Sequence, residues 1–192
     1  MEPSESAAAW RRAYARQAIS DFEVYDHICK AGTISECHRL HYLQMALEKS
    51  AKAFFWAGPG SNQDYSKVNS QHKVVKKYLP DVYRHFHAVR RQTIHGGRMA
   101  SVKQFCQEVD LLAPASDKEE KSGHEDDKSD KEGLRPDNCE YPWHVLDSAG
   151  AIVHIQSPLD YEFTPTRLMK AGGVVLDFLR VIRSEVQKLA AE

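Results

Sequence analysis

The stretch Arg90-Arg-Gln-Thr-Ile-His95 places a histidine five positions after an arginine. A guanidinium holds a phosphate through two parallel N–H donors and stays charged at any physiological pH. An imidazole can take up or release a proton near neutrality. Together they suit cleavage of an RNA phosphodiester, in which the ribose 2′-OH is the nucleophile and no metal is required. The competing reading is a chance spacing among ten histidines, with His95 at a helix end where the dipole favours a cation. Two other constellations are weaker. Cys37-His38-x-x-His41 offers three metal-ligand types near a helix start, but no fourth ligand lies nearby, so no metal site is expected. His85 and His87 are two apart on a helix, so one should flank the core and the other face solvent. Phosphate-loop, dinucleotide, hydrolase-elbow and zincin motifs are all absent, and no cofactor is expected.

Charge puts Arg90 and His95 inside a basic region. The 192-residue chain has a formal net charge of −1, which taken alone argues against a nucleic-acid binder. The distribution argues otherwise. From Lys67 to Lys103 there are nine basic residues and one acid, Asp81, for a local charge of +8. Lys73, Lys76, Lys77, Arg84, Arg91 and Arg98 are the candidate nucleic-acid contacts beside Arg90. Residues 116–133 carry eight acids against four lysines. That segment has no aliphatic or aromatic side chain and is expected to be disordered, as the centre of an acidic insert over residues 114–137.

The elements that would position these residues are helical. Trp10, Tyr14, Ala18, Phe22, Tyr25 and Ile28 recur every three or four residues from Ala9 to about Lys30, and Gly32 supplies the stop. Ser35 is a plausible N-cap for a second helix, with Leu40, Leu43, Leu47, Ala51 and Phe54 on one face and Gln44, Glu48 and Lys52 on another. The short turn between the two predicts an antiparallel hairpin. From His72 a third helical pattern runs to Val89. Pro80 inside it predicts a kink, or a break with Pro80 at the first position of a new helix. Gly96-Gly97 is read as closing this segment, and a further helix covers Ala100 to Leu111. A small hairpin is expected over His144–Ile155. Thr164-Pro165 reads as the N-cap and first residue of a last helix ending near Ala190. Gly172-Gly173 in its first half suggests close helix approach.

Four cysteines without a C-x-x-C pair read as reduced thiols. With no secretory signal and no apolar run near membrane-spanning length, the expectation is a cytoplasmic protein without a membrane segment.

The second helix, Leu40-His-Tyr-Leu-Gln-Met-Ala-Leu-Glu-Lys-Ser-Ala-Lys-Ala-Phe54, resembles the QxAxEKxxKA signature helix of HEPN domains. The preceding Ser20-Asp-Phe-Glu helix, Gln71-His72-Lys-Val-Val75 and the amphipathic last helix fit the same order. The resemblance implies an all-α, antiparallel up-and-down bundle in one domain, usually a homodimer. It implies metal-independent ribonuclease activity in active members, often toxins or defence effectors. Their motif, an arginine followed after four to six residues by a histidine and shared across the dimer, matches Arg90 and His95. The family typically has Asn, Asp or His after the arginine, where this chain has Arg91, and its motif opens a helix. Other members are nucleotide-binding or scaffolding modules, and a nucleotidyltransferase-type antitoxin is the kind of partner implied. The alternatives are thus an RNA-cleaving enzyme, a phosphate-binding module, and a structural partner of another chain.

Overall fold

The computed structural model describes residues 5–57, 74–113, 139, 143–146, 148 and 151–192. Lys73, His72, the Gly58-Pro59-Gly60 stop and the acidic insert 114–137 lie outside them. The protein is an all-α bundle: α1 (Glu5–Ala31), α2 (Glu36–Ala57), α3 (Val75–Val89), α4 (Gly96–Leu111), α5 (Thr164–Ala171) and α6 (Gly173–Ala191). A two-stranded antiparallel hairpin, β1 (Trp143–Leu146) and β2 (Ile152–Gln156), precedes the last two helices. Among the described residues no helix is long and apolar enough to cross a membrane.

The first two helices follow the sequence closely. Gly32 ends α1 with φ +68°, a conformation that costs glycine little, and Ser35 immediately precedes α2. The linker is too short for anything but antiparallel packing, and α1 also lies against α6. Phe22, Leu40, Leu43, Leu47, Leu79, Tyr83, Phe105, Phe163 and Phe178 form the centre of one continuous core. Burial of each such side chain is worth about 1.5–3 kcal/mol.

The polar ladder of α2 is paired as its spacing suggests, and it is also buried: Gln44, Glu48 and Lys52 are at 2%, 1% and 3% exposure. Lys52 Nζ lies 2.7 Å from Glu48 Oε1, and Gln44 Nε2 donates to Glu48 Oε2 at 2.9 Å. Spacing gives the pairing direction, but α1 and its neighbours decide that this face is covered. A buried carboxylate persists there because both of its oxygens have donors.

Four boundaries differ from the sequence reading. Pro80 does not break its helix: α3 runs through it. Val75, Leu79, Pro80 and Tyr83 are all buried, and that continuous apolar contact outweighs the one lost backbone bond. Gly96 and Gly97 open α4 instead of closing α3. The last helix is two helices, interrupted at Gly172, which is extended at φ −170° and ψ 146°. A Cβ on Gly173 would meet nothing within 4 Å, so these glycines serve a bend and not a close approach. Thr164 is the first residue of α5, with Phe163 in the cap position. Phe178 takes a place in the core, while Leu176 on the same helix is 55% exposed.

The N-terminus of α3 is held from a distance. Asp110, near the end of α4, accepts hydrogen bonds from the backbone N–H of Val75 and of Lys76, both at 3.0 Å. No local side chain caps α3, so a carboxylate 35 residues away does the work of an N-cap. Burial pushes the Asp110 carboxyl up to about 6, against the opposing pull of those two N–H groups. Its pKa is thus higher folded than unfolded, so the native state binds the extra proton and stability falls as pH rises from about 4 to about 6. Urea unfolding across that interval should show a decline of about 2–3 kcal/mol in the native protein and a flatter profile in Asp110→Asn. Asp110→Ala, which strands two N–H groups, should cost about 1–2 kcal/mol at neutral pH.

Candidate phosphate-binding site

Of the basic candidates, Arg90 and Arg91 lie at the junction between α3 and α4 and Arg98 in the first turn of α4, while Lys76 and Lys77 lie at the other end of α3. Arg90 is the C-cap of α3, and Arg91 follows with φ +53°. The backbone N–H of Arg91 donates to Ala88 at 3.0 Å and that of Gln92 to His87 at 2.9 Å. This is a Schellman closure with an arginine in the left-handed position that glycine usually takes. The usual apolar contact across the closure is replaced by a polar one: His87 Nδ1 and Gln92 Oε1 lie 2.8 Å apart. His95, extended at φ −65° and ψ 144°, is the N-cap residue of α4. Its carbonyl accepts from the N–H of Arg98 at 3.0 Å, and no side chain caps the helix. The Arg90–His95 spacing therefore spans a helix break. Arg90 closes one helix and His95 opens the next.

Arg90 and His95 do not touch. The Arg90 guanidinium lies over the Phe86 ring, 3.5 Å from its centroid, and donates to the Phe86 carbonyl at 3.4 Å. Arg90, Arg91 and His95 are all exposed, and among the described residues none of them is in an ion pair. Lys76 and Lys77 are exposed in the first turn of α3, with Lys77 Nζ over the Tyr78 ring. Arg84 is exposed but paired with Asp81 at 2.9 Å. His85 is exposed and His87 buried, the division expected of residues two apart.

Arg98 has a different role from the one its charge suggests. Its Nη2 donates to Asp177 Oδ2 at 3.2 Å and to the Tyr83 hydroxyl at 3.3 Å. Tyr83 itself donates to Asp177 Oδ2 at 2.8 Å, and Arg180 reaches Oδ1 at 2.6 Å. His87 Nε2 stands 3.6 Å from the same Oδ2. Burial works against the charged Asp177, but bonds from Arg180 and Tyr83 and the charges of Arg180 and Arg98 prevail, holding its carboxyl below the ordinary range. This carboxylate therefore stabilises the fold above its unfolded pKa and loses that contribution as pH falls through the folded value. Burial, then the bond to Asp177, pushes the Tyr83 phenol up to about 12. Sequence reasoning missed Tyr83, Gln92, Asp177 and Arg180, because Asp177 and Arg180 lie about 80 residues beyond the basic stretch that they meet. The amphipathic pattern marked α6 as core-facing without marking which polar residue points inward.

No three His, Cys, Asp or Glu side chains among the described residues are grouped to hold a metal ion. Cys37 is buried while His38 is exposed, which separates the would-be ligands. No protein-family model matches the chain, and no curated protein or solved structure is found to be similar to it.

An arginine in the left-handed region costs on the order of 1 kcal/mol relative to glycine. Arg91→Gly should accordingly raise stability by about 0.5–1 kcal/mol in urea unfolding, since its side chain makes no contact that the fold needs.

Proposed function

We propose that the chain is a HEPN-like protein that binds RNA or nucleotide phosphate across the α3–α4 junction. The observation that carries the reading is the charge of that junction. From Val82 to Gln107 the chain has five basic residues and no acid, and Arg90, Arg91 and His95 stand exposed around one helix break. Arg91 holds a backbone conformation that glycine would adopt at lower cost, which fits a side chain kept for contact outside the fold. Lys76 and Lys77 extend the same charge along α3. On this reading Arg84 and Arg98, each paired with an acid, contribute to the field more than to direct contacts.

The pair Arg90 and His95 also has the groups for metal-independent cleavage. His95 would take the 2′-OH proton as the 2′-oxygen bonds to phosphorus and the P–O5′ bond breaks, and the leaving oxygen would take a proton back. Arg90 would neutralise the charge on the phosphoryl oxygens. Because Arg90 lies on Phe86 and not beside His95, binding is the primary reading. Cleavage needs the guanidinium to swing outward, or a second copy of the chain to complete the site, as the HEPN resemblance implies. A protein partner such as a nucleotidyltransferase-type antitoxin belongs to the same resemblance.

Fluorescence anisotropy with single-stranded RNA should show binding that weakens steeply with salt. Arg90→Ala and Arg91→Gly should each weaken it and lower the salt slope by about one, so that Arg91→Gly gains stability while losing affinity. Absence of binding at low salt would remove the proposal. For the cleavage reading, RNA incubated in EDTA should yield 2′,3′-cyclic phosphate ends, and His95→Ala should abolish them. Undiminished cleavage by that variant would exclude His95 as the proton carrier.

A further inference from the structure

The histidine buried behind the junction is wired for a purpose that the phosphate reading leaves unused. His87 is 8% exposed. Its Nδ1 faces the Gln92 side-chain oxygen at 2.8 Å. An amide oxygen only accepts, so Nδ1 must carry the hydrogen. In the neutral ring this leaves Nε2 as a lone pair, and Nε2 has no hydrogen-bond partner. That lone pair stands 3.6 Å from Asp177 Oδ2, acceptor against acceptor. Protonation reverses the relation, since Nε2–H would become a charged donor beside a carboxylate.

The carboxylate oxygen it faces is already occupied. Oδ2 accepts from the Tyr83 hydroxyl at 2.8 Å and from Arg98 Nη2 at 3.2 Å, and one carboxylate oxygen has about two lone-pair sites. A third donor drawn in to full hydrogen-bond distance competes with these two. Tyr83 is fully buried and its bond is the shorter. The Arg98 side chain is 41% exposed and can exchange its bond for water. Arg180 holds the other oxygen, Oδ1, and keeps Asp177 in place. The charged and titratable groups facing His87 are therefore Tyr83 on its own helix, Arg98 on α4, and Asp177 and Arg180 on α6. The Phe86 ring and Gln92 complete its surroundings.

We infer that His87 is a proton-dependent latch on Arg98: charging the imidazole transfers Asp177 Oδ2 from Arg98 to His87 and frees the guanidinium at the phosphate-binding junction. The inference rests on the phosphate reading above. It makes His87 and Asp177 positioning residues, with Arg98 the residue they release. Affinity for a phosphate ligand then rises on acidification through two additions, one new charge in the cluster and one unpaired arginine in the first turn of α4.

The test is fluorescence anisotropy with a short labelled oligouridylate at fixed low salt, from about pH 8 to about pH 5.5. The native chain should bind throughout and tighten about tenfold over that range, the scale of one or two added charge contacts. The decisive quantity is the difference from His87→Gln, which should keep only about a third of the tightening. Gln92 is exposed, so Gln92→Glu leaves the core intact. Its carboxylate beside Nδ1 favours the charged ring, and it should move the midpoint of tightening to higher pH even while lowering overall affinity. If His87→Gln does not fold, the Gln92→Glu midpoint decides alone. Binding with a pH profile unchanged in these variants overturns the latch and leaves phosphate binding standing. No binding at any pH overturns both.

Discussion

Asp177 accepts hydrogen bonds from Tyr83 on α3, Arg98 on α4 and Arg180 on its own helix, and so it ties the last helix to both walls of the α3–α4 junction. A carboxylate that is largely buried is costly unless its oxygens are satisfied, and here two of the three donors come from other helices that must be correctly docked. His87, one turn beyond Tyr83 on the same helix, faces the same carboxylate. Asp110 works similarly at the other end of α3, fixing two backbone N–H groups from α4. The basic helix is thus held at both ends by acids from elsewhere in the chain. Its charge can remain on the outside because its necessary counter-charges are inside.

The same balance explains why net charge misleads. The chain is −1 overall, yet the α3–α4 region concentrates basic residues. Two arginines of the basic stretch, Arg84 and Arg98, have acidic partners, while among the described residues Arg90 and Arg91 at the junction are in no ion pair. Phosphate recognition needs exposed donors in a fixed geometry. Arg91, held at φ +53° within a hydrogen-bonded closure, has that fixed backbone geometry. The acid-free stretch around it keeps competing carboxylates on the same segment away.

Much of the bundle was legible in the sequence. The apolar spacing of α1 and α2, the stop at Gly32 and the hairpin between Trp143 and Gln156 follow from rules of local periodicity and turn chemistry. The misreadings have a common origin. Gly96-Gly97 looks like a helix stop because glycine usually ends helices, but the chain ends α3 with Arg91 and starts α4 at Gly96. Pro80 looks like a break because the local cost is known, while the compensating burial of Leu79 and Tyr83 is not a local property. The spacing of Gln44, Glu48 and Lys52 says that they share a face, and only the packed bundle says that this face is buried.

By itself the sequence determined which segments are helical, that they pair through apolar faces, and that residues 67–103 carry a dense positive charge. These follow from the period of the helix and from counting. Only the tertiary structure decided that Arg90 and His95 lie on opposite sides of a helix break, that Arg98 is held by Asp177, and that His87 faces the same carboxylate. Those contacts join residues up to 94 positions apart. No local rule specifies them, because they arise when separate helices bury their apolar faces together and each buried polar group must find its partner across the seam.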